Sequence, residues 1–263
     1  MRIDLGGQVA WITGGSSGIG KAIAIETAKC GAKVAITARD EDDLIKVVNE
    51  IKSHGGMAIP VAADVSSSAD VEGAVQKIIN AWGQLDFVCA NAGINGTWTP
   101  IDELAPEEWN KTIDLNLTGT YLTIHHAVPY LKKQGKGSIL IMSSVNGTRM
   151  FSNIGASAYA VSKAGQLALG QMLALELAPS KIRVNIICPG AFKSAIHDQT
   201  EKRHLDKVGN PAEFPQGTIP LIDGDMADPV YIANLAVFLA SDLAGHISGT
   251  PIWIDGAQSL LQG

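Results

Sequence analysis

Short, mostly apolar runs alternate along this chain with longer stretches in which apolar residues recur every three or four positions. The first kind predicts strands buried on both faces, at Gln8–Thr13, Lys33–Thr37, Met57–Ala62, Leu85–Ala90, Gly137–Met142, Lys181–Ile187 and Pro251–Ile254. The second predicts amphipathic helices at Gly18–Cys30, Asp40–His54, after the Ser66–Ser68 cluster, at Pro106–Leu131, Ala158–Ala178 and Pro229–Ser241. Strands and helices alternating at this pace build right-handed βαβ units, hence an α/β fold with a doubly wound, seven-stranded parallel sheet and helices on both faces. No linker rich in Pro, Ser or charge divides the chain, so residues 1–263 are expected to form a single domain. One long segment, Ala191–Asp228, stands outside the alternation, polar and interrupted by Pro211, Pro215 and Pro220. After a strand's carboxyl end such an excursion lies over the ligand crevice, and it is read as a substrate-binding lid.

Composition narrows the function classes. Apolar residues make up 46% and charged residues 17%, as expected of a globular chain. A formal charge of −6 argues against nucleic acid or an anionic membrane surface as partner. Cys30, Cys89 and Cys188 lie far apart without metal-ligand spacing, which reads as thiols in a reducing compartment. The N-terminus lacks the pattern of a signal peptide and no apolar run approaches a membrane span, so a soluble, cytoplasmic protein is expected.

Between the first strand and first helix lies Thr13-Gly14-Gly15-Ser16-Ser17-Gly18-Ile19-Gly20, in the spacing G-x-x-x-G-x-G. Glycines there allow a sharp turn and close ligand approach, while the following helix offers free N–H groups to a pyrophosphate. At the end of the second strand, Ala38 is followed by Arg39 where an acidic residue would bind a ribose 2′-hydroxyl. A guanidinium pairs with a phosphate through two parallel hydrogen bonds, so NADP(H) is the preferred cofactor and NAD(H) the alternative. In Tyr159-Ala160-Val161-Ser162-Lys163 the phenol and the ammonium are four residues apart on a helix and share one face. A fixed positive charge beside a phenol favours the phenolate and should draw its pKa down from about 10.

Several motifs now coincide in order: Thr13 to Gly20, Asp64-Val65, Asn91-Ala92-Gly93, Asn116, Ser144, Tyr159 with Lys163, and Pro189-Gly190. Across nearly the whole chain this resembles the short-chain dehydrogenase/reductase family, in its short single-domain branch with a Rossmann-like fold. The resemblance implies a catalytic set of Asn116, Ser144, Tyr159 and Lys163. It implies cofactor contacts from Gly14, Ser16, Ser17, Gly18, Ile19, Gly20, Arg39, Asp64, Val65, Asn91, Ala92, Gly93, Tyr159, Lys163, Pro189, Gly190, Phe192 and Ser194. By resemblance, Asp64-Val65 meets the adenine and Asn116 holds a water in a proton relay to the lysine. Ser144, preferred over its neighbour Ser143, hydrogen-bonds the substrate oxygen, and Lys163 lowers the Tyr159 pKa and binds the nicotinamide ribose. Two departures are noted: Ser194 stands where the family usually has threonine, and Ala257 where it often has a second glycine.

The expected activity is hydride transfer between the nicotinamide and a carbonyl or secondary alcohol, with Tyr159 as proton donor and Ser144 orienting the oxygen. The rival from another class is a non-catalytic NAD(P)-binding sensor on the same fold. Trp98, Arg149, Phe151, Phe192, Ile196 and His197 are candidates for the substrate wall, Arg149 for an anionic group. Tyr159 follows Ser144 by 15 positions, and the loop between them, containing Asn146, is somewhat long for the family. His125, His126, His197 and His204 form no metal constellation, and no metal is expected. The resemblance further implies a homotetramer or homodimer packed through the two long helices.

Overall fold

The computed structural model describes residues 3–194, 196, 200–209, 217–222 and 226–262. Seven strands form one sheet: β1 (Val9–Thr13), β2 (Lys33–Ala38), β3 (Met57–Ala62), β4 (Phe87–Ala90), β6 (Gly137–Met142), β7 (Ile182–Pro189) and β9 (Pro251–Ile254). Their order is β3-β2-β1-β4-β6-β7-β9, and every pairing is parallel. Two further strands, β5 (Thr97–Trp98) and β8 (Glu201–Lys202), pair only with each other.

Alternate side chains of each strand serve opposite layers. On β1, Ala10 and Ile12 join a core with α1 (Gly18–Lys29), α2 (Glu41–Ser53) and α7 (Val230–Ala240). Val9 and Trp11 join the other core, with α3 (Ser68–Trp82), α5 (Gly119–Gln134) and α6 (Ser157–Leu177). The apolar runs lack an in/out polar alternation because both faces are covered.

The chain order reverses between β1 and β4, so a crevice opens at their carboxyl ends. Three things meet there: the glycine turn after β1, the Asn91–Gly93 turn after β4 and the loop after β6.

The helix expected over Pro106–Leu131 is interrupted. α4 (Pro106–Ile113) passes into a π turn, Asp114–Thr118, and continues as α5. One extra residue per turn cannot be read from an apolar period near 3.6, and such turns recur at functional sites. The C-terminal helix α8 (Gln258–Gln262), with Gln258 and Ser259 buried, was also not expected.

Of the segment expected as a lid, the two ends pair with each other: Lys193 N–H donates to the Ala227 carbonyl at 3.0 Å, and Ala227 N–H to Ala191 at 3.0 Å. Its middle part reaches back to β5 through β8, and to α4 through a bidentate ion pair of Arg203 with Glu108, both contacts 2.8 Å. His197, Pro211 and Pro215 lie outside the described residues.

Candidate active site

The crevice is a cleft of ≈ 740 Å³, a volume usual for small-molecule sites. At one end lies the glycine turn. Gly14 has φ 65°, and a Cβ there would stand 2.8 Å from Asn91 Nδ2 and 2.9 Å from Ala92 Cα. Gly20 is still more confined, since its Cβ would meet the Gly14 carbonyl at 2.1 Å. These distances keep the turn close against the β4 exit and bring the start of α1 into the cleft. Asn91 braces the arrangement, its Nδ2 donating to the Thr13 carbonyl at 2.9 Å and the Gly14 carbonyl at 3.3 Å. The N–H groups of Asn91 and Ala92 both donate to Thr13 Oγ1.

No acidic residue stands in the first turn of α1, and Ser17 at its N-cap makes no side-chain capping bond. The N-terminus of α2, by contrast, carries Glu41, Asp42 and Asp43 and is capped by Asp40. The α1 terminus therefore offers its N–H groups and positive dipole end to an outside anion. Ser16, Ser17, Gly18 and Ile19 line the cleft there, and Ser194 lies over Gly18, whose Cβ would stand 2.9 Å from Ser194 Cβ.

Gly20→Ala is expected to lower stability by about 1–3 kcal/mol through overpacking against backbone. At about 2–4 °C per kcal/mol, thermal unfolding would report this, together with a weakened rise in Tm on adding NADPH.

Beyond the turn, Arg39 lines the cleft, is exposed and makes no ion pair among the described residues. Asp64 and Val65 line the same region. Hydrogen bonds from the Ser66 hydroxyl and backbone hold the Asp64 carboxyl below its ordinary range. At the far side, Pro189 ends β7 and Gly190 follows it. Gln258 from α8 closes this wall, its Oε1 accepting from Ala191 N–H at 2.8 Å, and a Cβ on Gly190 would strike that oxygen at 2.5 Å. Phe192 is buried in the core while still lining the cleft.

At the other end stand Ser144, Tyr159 and Lys163. Ser143 and Ser144 are separated by their partners. Ser143 Oγ donates to the Lys163 main-chain carbonyl at 2.7 Å and so ties β6 to α6. Ser144 Oγ accepts from Asn146 N–H at 3.1 Å and is within hydrogen-bond reach of the Tyr159 phenol. Lys163 is only 3% exposed, and Nζ donates to the Met142 carbonyl at 2.9 Å. Burial lowers the ammonium to about 8.

The expectation that Lys163 depresses the Tyr159 phenol is corrected. Burial raises the phenol above its ordinary value, offset only by the Ser144 hydrogen bond. Nζ sits 5.5 Å from the ring centroid, turned to Met142.

Asn116 lies in the π turn, fully buried behind the cleft wall and not in it. Its Oδ1 accepts from Ile94 N–H at 2.8 Å, and its Nδ2 donates to the Ile94 carbonyl at 2.9 Å and Ser162 Oγ at 3.0 Å. The side chain thus acts as a short strand-like partner that fixes the segment after Gly93, whose own Cβ would stand 3.6 Å from Lys163 Nζ. Gln166 Nε2 and Thr120 Oγ1 donate to the Asn116 main-chain carbonyl.

Of the residues expected on the substrate wall, Trp98 and Ile196 line the cleft. Phe151 is exposed outside it, and the Arg149 guanidinium stacks on Trp253 at 3.6 Å, so neither faces the site. Asn95, Met150 and Asn153 line the cleft without having been singled out, because nothing in their local sequence marks them.

A family model described as enoyl-(acyl carrier protein) reductase matches residues 14–257. The chain belongs to the short-chain dehydrogenase/reductase family. It is 37% identical over 260 residues to 2,5-dichloro-2,5-cyclohexadiene-1,4-diol dehydrogenase LinX of Sphingobium indicum, covering 99% of both chains. Among solved structures, a 3-ketoacyl-ACP reductase from Sinorhizobium meliloti 1021 is 48% identical with a TM-score of 0.93, covering 96% of this chain and 99% of that one. A 3-ketoacyl-(acyl-carrier-protein) reductase from Brucella melitensis, complexed with NADH, is 32% identical with a TM-score of 0.85, covering 97% and 100%. As a short-chain dehydrogenase/reductase, the protein is an NAD(P)-dependent oxidoreductase acting on CH–OH or C=O groups. Among the described residues, no helix is long and apolar enough to cross a membrane.

Proposed function

We propose that this short-chain dehydrogenase/reductase reduces a small carbonyl compound, or oxidises the matching secondary alcohol, in the cleft described above, with NADP(H) preferred over NAD(H). The observation that carries the reading is that Tyr159, Ser144 and Lys163 face the same cleft as the bare α1 terminus and its glycine turn. The close approach at Gly14 and Gly20 fits a pyrophosphate on the α1 N–H groups, with Ser16, Ser17, Gly18 and Ile19 beside it. Asp64 and Val65 would hold the adenine end, and Asn91, Ala92, Gly93, Pro189, Gly190, Phe192 and Ser194 the path to the nicotinamide. When bound, the cofactor supplies or accepts the hydride.

The protein's own side chains handle the oxygen and its proton. In the reducing direction the Tyr159 phenol, protonated at neutral pH because burial raises it, delivers a proton to the substrate oxygen as negative charge develops there. The Asn146 N–H occupies one lone pair of Ser144 Oγ, and the Ser144 proton, otherwise turned to the Tyr159 phenol, would orient that oxygen when substrate is bound. Lys163 places a positive charge beside both groups and would hold the ribose. Asn116 acts as a positioning residue, locking the segment after Gly93 against Lys163.

Arg39 supports the NADP(H) preference, because an exposed guanidinium with no ion pair at the adenosine end suits a 2′-phosphate. The Brucella relative was solved with NADH, so the test is direct. Nicotinamide absorbance should show higher kcat/KM with NADPH than NADH, and Arg39→Ala should lower the NADPH value by about 10- to 100-fold, the loss of a charge-assisted pair, while sparing NADH. Equal use of both cofactors, unchanged in the variant, would overturn this preference.

Residues 191–228 are assigned to a lid over the substrate end within a single domain. Exposed Tyr121 on α5 and Val161, Met172 and Leu175 on α6 support association of copies, as a dimer or tetramer, through these helices.

A further inference from the structure

The substrate end of the cleft contains an amide that the chemistry above does not use. Asn146 is 4% exposed and lines the cleft. Its main-chain N–H is committed to Ser144 Oγ, yet its side-chain Oδ1 and Nδ2 make no hydrogen bond among the described residues. The residue as a whole is buried while its carboxamide opens on the cleft, so both its donor and its acceptor are available to a group that enters there.

The position is rigid. Asn146 is bridged to Met150, and the Val145 carbonyl accepts from the N–H groups of Thr148, Arg149 and Met150. Next to it Gly147, at φ 82°, is pressed on α6, where a Cβ would stand 2.2 Å from the Ala160 carbonyl. The turn cannot slide, and the amide is preorganised beside Ser144.

Asn153, in the same loop, also lines the cleft with no hydrogen bond from its side-chain amide among the described residues. Asn95 differs, since its Nδ2 is spent on Thr200 Oγ1 at 2.7 Å. Lys163, whose ammonium donates to the Met142 carbonyl, is the one charged side chain at this end of the described wall, since Arg39, Asp40, Asp43 and Asp64 belong to the adenosine end.

We infer that Asn146, with Asn153 as a second amide of the same wall, forms a subsite for a further oxygen function, so that the substrate class is uncharged compounds carrying a hydroxyl or keto group adjacent to the reacting carbon. A carboxamide donates through Nδ2 and accepts through Oδ1, so it serves hydroxyl and keto neighbours alike. This rests on the reading of the cleft as a hydride-transfer site.

The test compares cyclohexanone with 2-hydroxycyclohexanone as probes, using NADPH and the full-length protein. Wild type should favour the hydroxyketone in kcat/KM by about 10- to 100-fold, the discrimination a site gains by pairing a substrate hydroxyl. Asn146→Leu, which keeps the branching of the side chain and the main-chain N–H on Ser144 Oγ, should bring kcat/KM for the hydroxyketone down to the level of cyclohexanone and so remove that preference. Asn146→Ala provides a smaller replacement, and for each variant the NADPH-induced rise in Tm checks that the fold and cofactor site persist. Equal losses on both probes, a loss that tracks the KM for NADPH, or a wild type indifferent to the hydroxyl overturns the subsite and leaves the hydride-transfer reading standing. Turnover of neither probe, nor of any other carbonyl or alcohol, overturns both.

Discussion

Tyr159→Phe is expected to cut kcat by about 10²- to 10⁴-fold, the range that a positioned proton donor contributes. The variant keeps the ring and its packing and removes the phenolic oxygen. Cofactor binding should persist, because the glycine turn and the α1 terminus are untouched. The informative measurement is therefore a pair: turnover on an accepted carbonyl, and NADPH binding followed by fluorescence or by Tm. Lost turnover with retained binding supports the assigned role. Near-normal turnover would remove Tyr159 from the mechanism and leave Ser144 as the group nearest the reacting oxygen. Because burial holds the phenol above its ordinary value, loss of the Tyr159 proton itself does not limit reduction at neutral pH.

Lys163→Met should be nearly as damaging to activity, and it carries two pH signatures. In the wild type the ammonium titrates at about 8, lowered chiefly by burial. Below that pH the positive charge beside Tyr159 is present, and above it the charge is lost. Reduction should therefore hold through neutral pH and decline above about 8. The variant should show a kcat reduced by about 10²-fold or more, with that limb missing from its profile.

Stability should respond with the opposite sign. In the unfolded chain the lysine keeps its ordinary value near 10.5, so between about 8 and 10.5 the unfolded state binds more protons than the folded one. Stability from this group therefore rises with pH across that window and is lost as pH falls through 8. Burying the charge costs about 3 kcal/mol at neutral pH, partly offset by the Met142 hydrogen bond. Lys163→Met should thus be more stable than wild type at pH 7, by about 1–3 kcal/mol, with the difference shrinking towards pH 10. Denaturant unfolding at both pH values checks this. A variant less stable at pH 7 would mean that the Met142 contact outweighs the burial cost.

These expectations rest on features of unequal visibility in the chain. The strands Met57–Ala62, Gly137–Met142 and Pro251–Ile254 were readable to the residue, because each is a short apolar run between turn residues, buried through most of its length in Gly137–Met142 and only partly covered in the two edge strands. The glycine turn was readable because backbone that must approach Asn91 and Ala92 within about one atomic contact admits no Cβ. The Tyr159–Lys163 face followed from helical spacing alone. Each of these is a demand that neighbouring residues place on one another.

What only the tertiary structure decided concerns environment and partner. The π turn that withdraws Asn116 into the wall depends on Ile94, Ser162 and Gln166, all distant in sequence. The direction of the Tyr159 shift reversed because desolvation is a property of everything packed around the ring, and Lys163 had a nearer acceptor in Met142. Arg149 was lost to the site by stacking on Trp253. Asn146 and Gln258 entered the site by position, with no motif to announce them. Periodicity and backbone sterics are local and survive in the order of residues, whereas burial, charge and hydrogen-bond partners are summed over elements that meet only when the sheet is assembled.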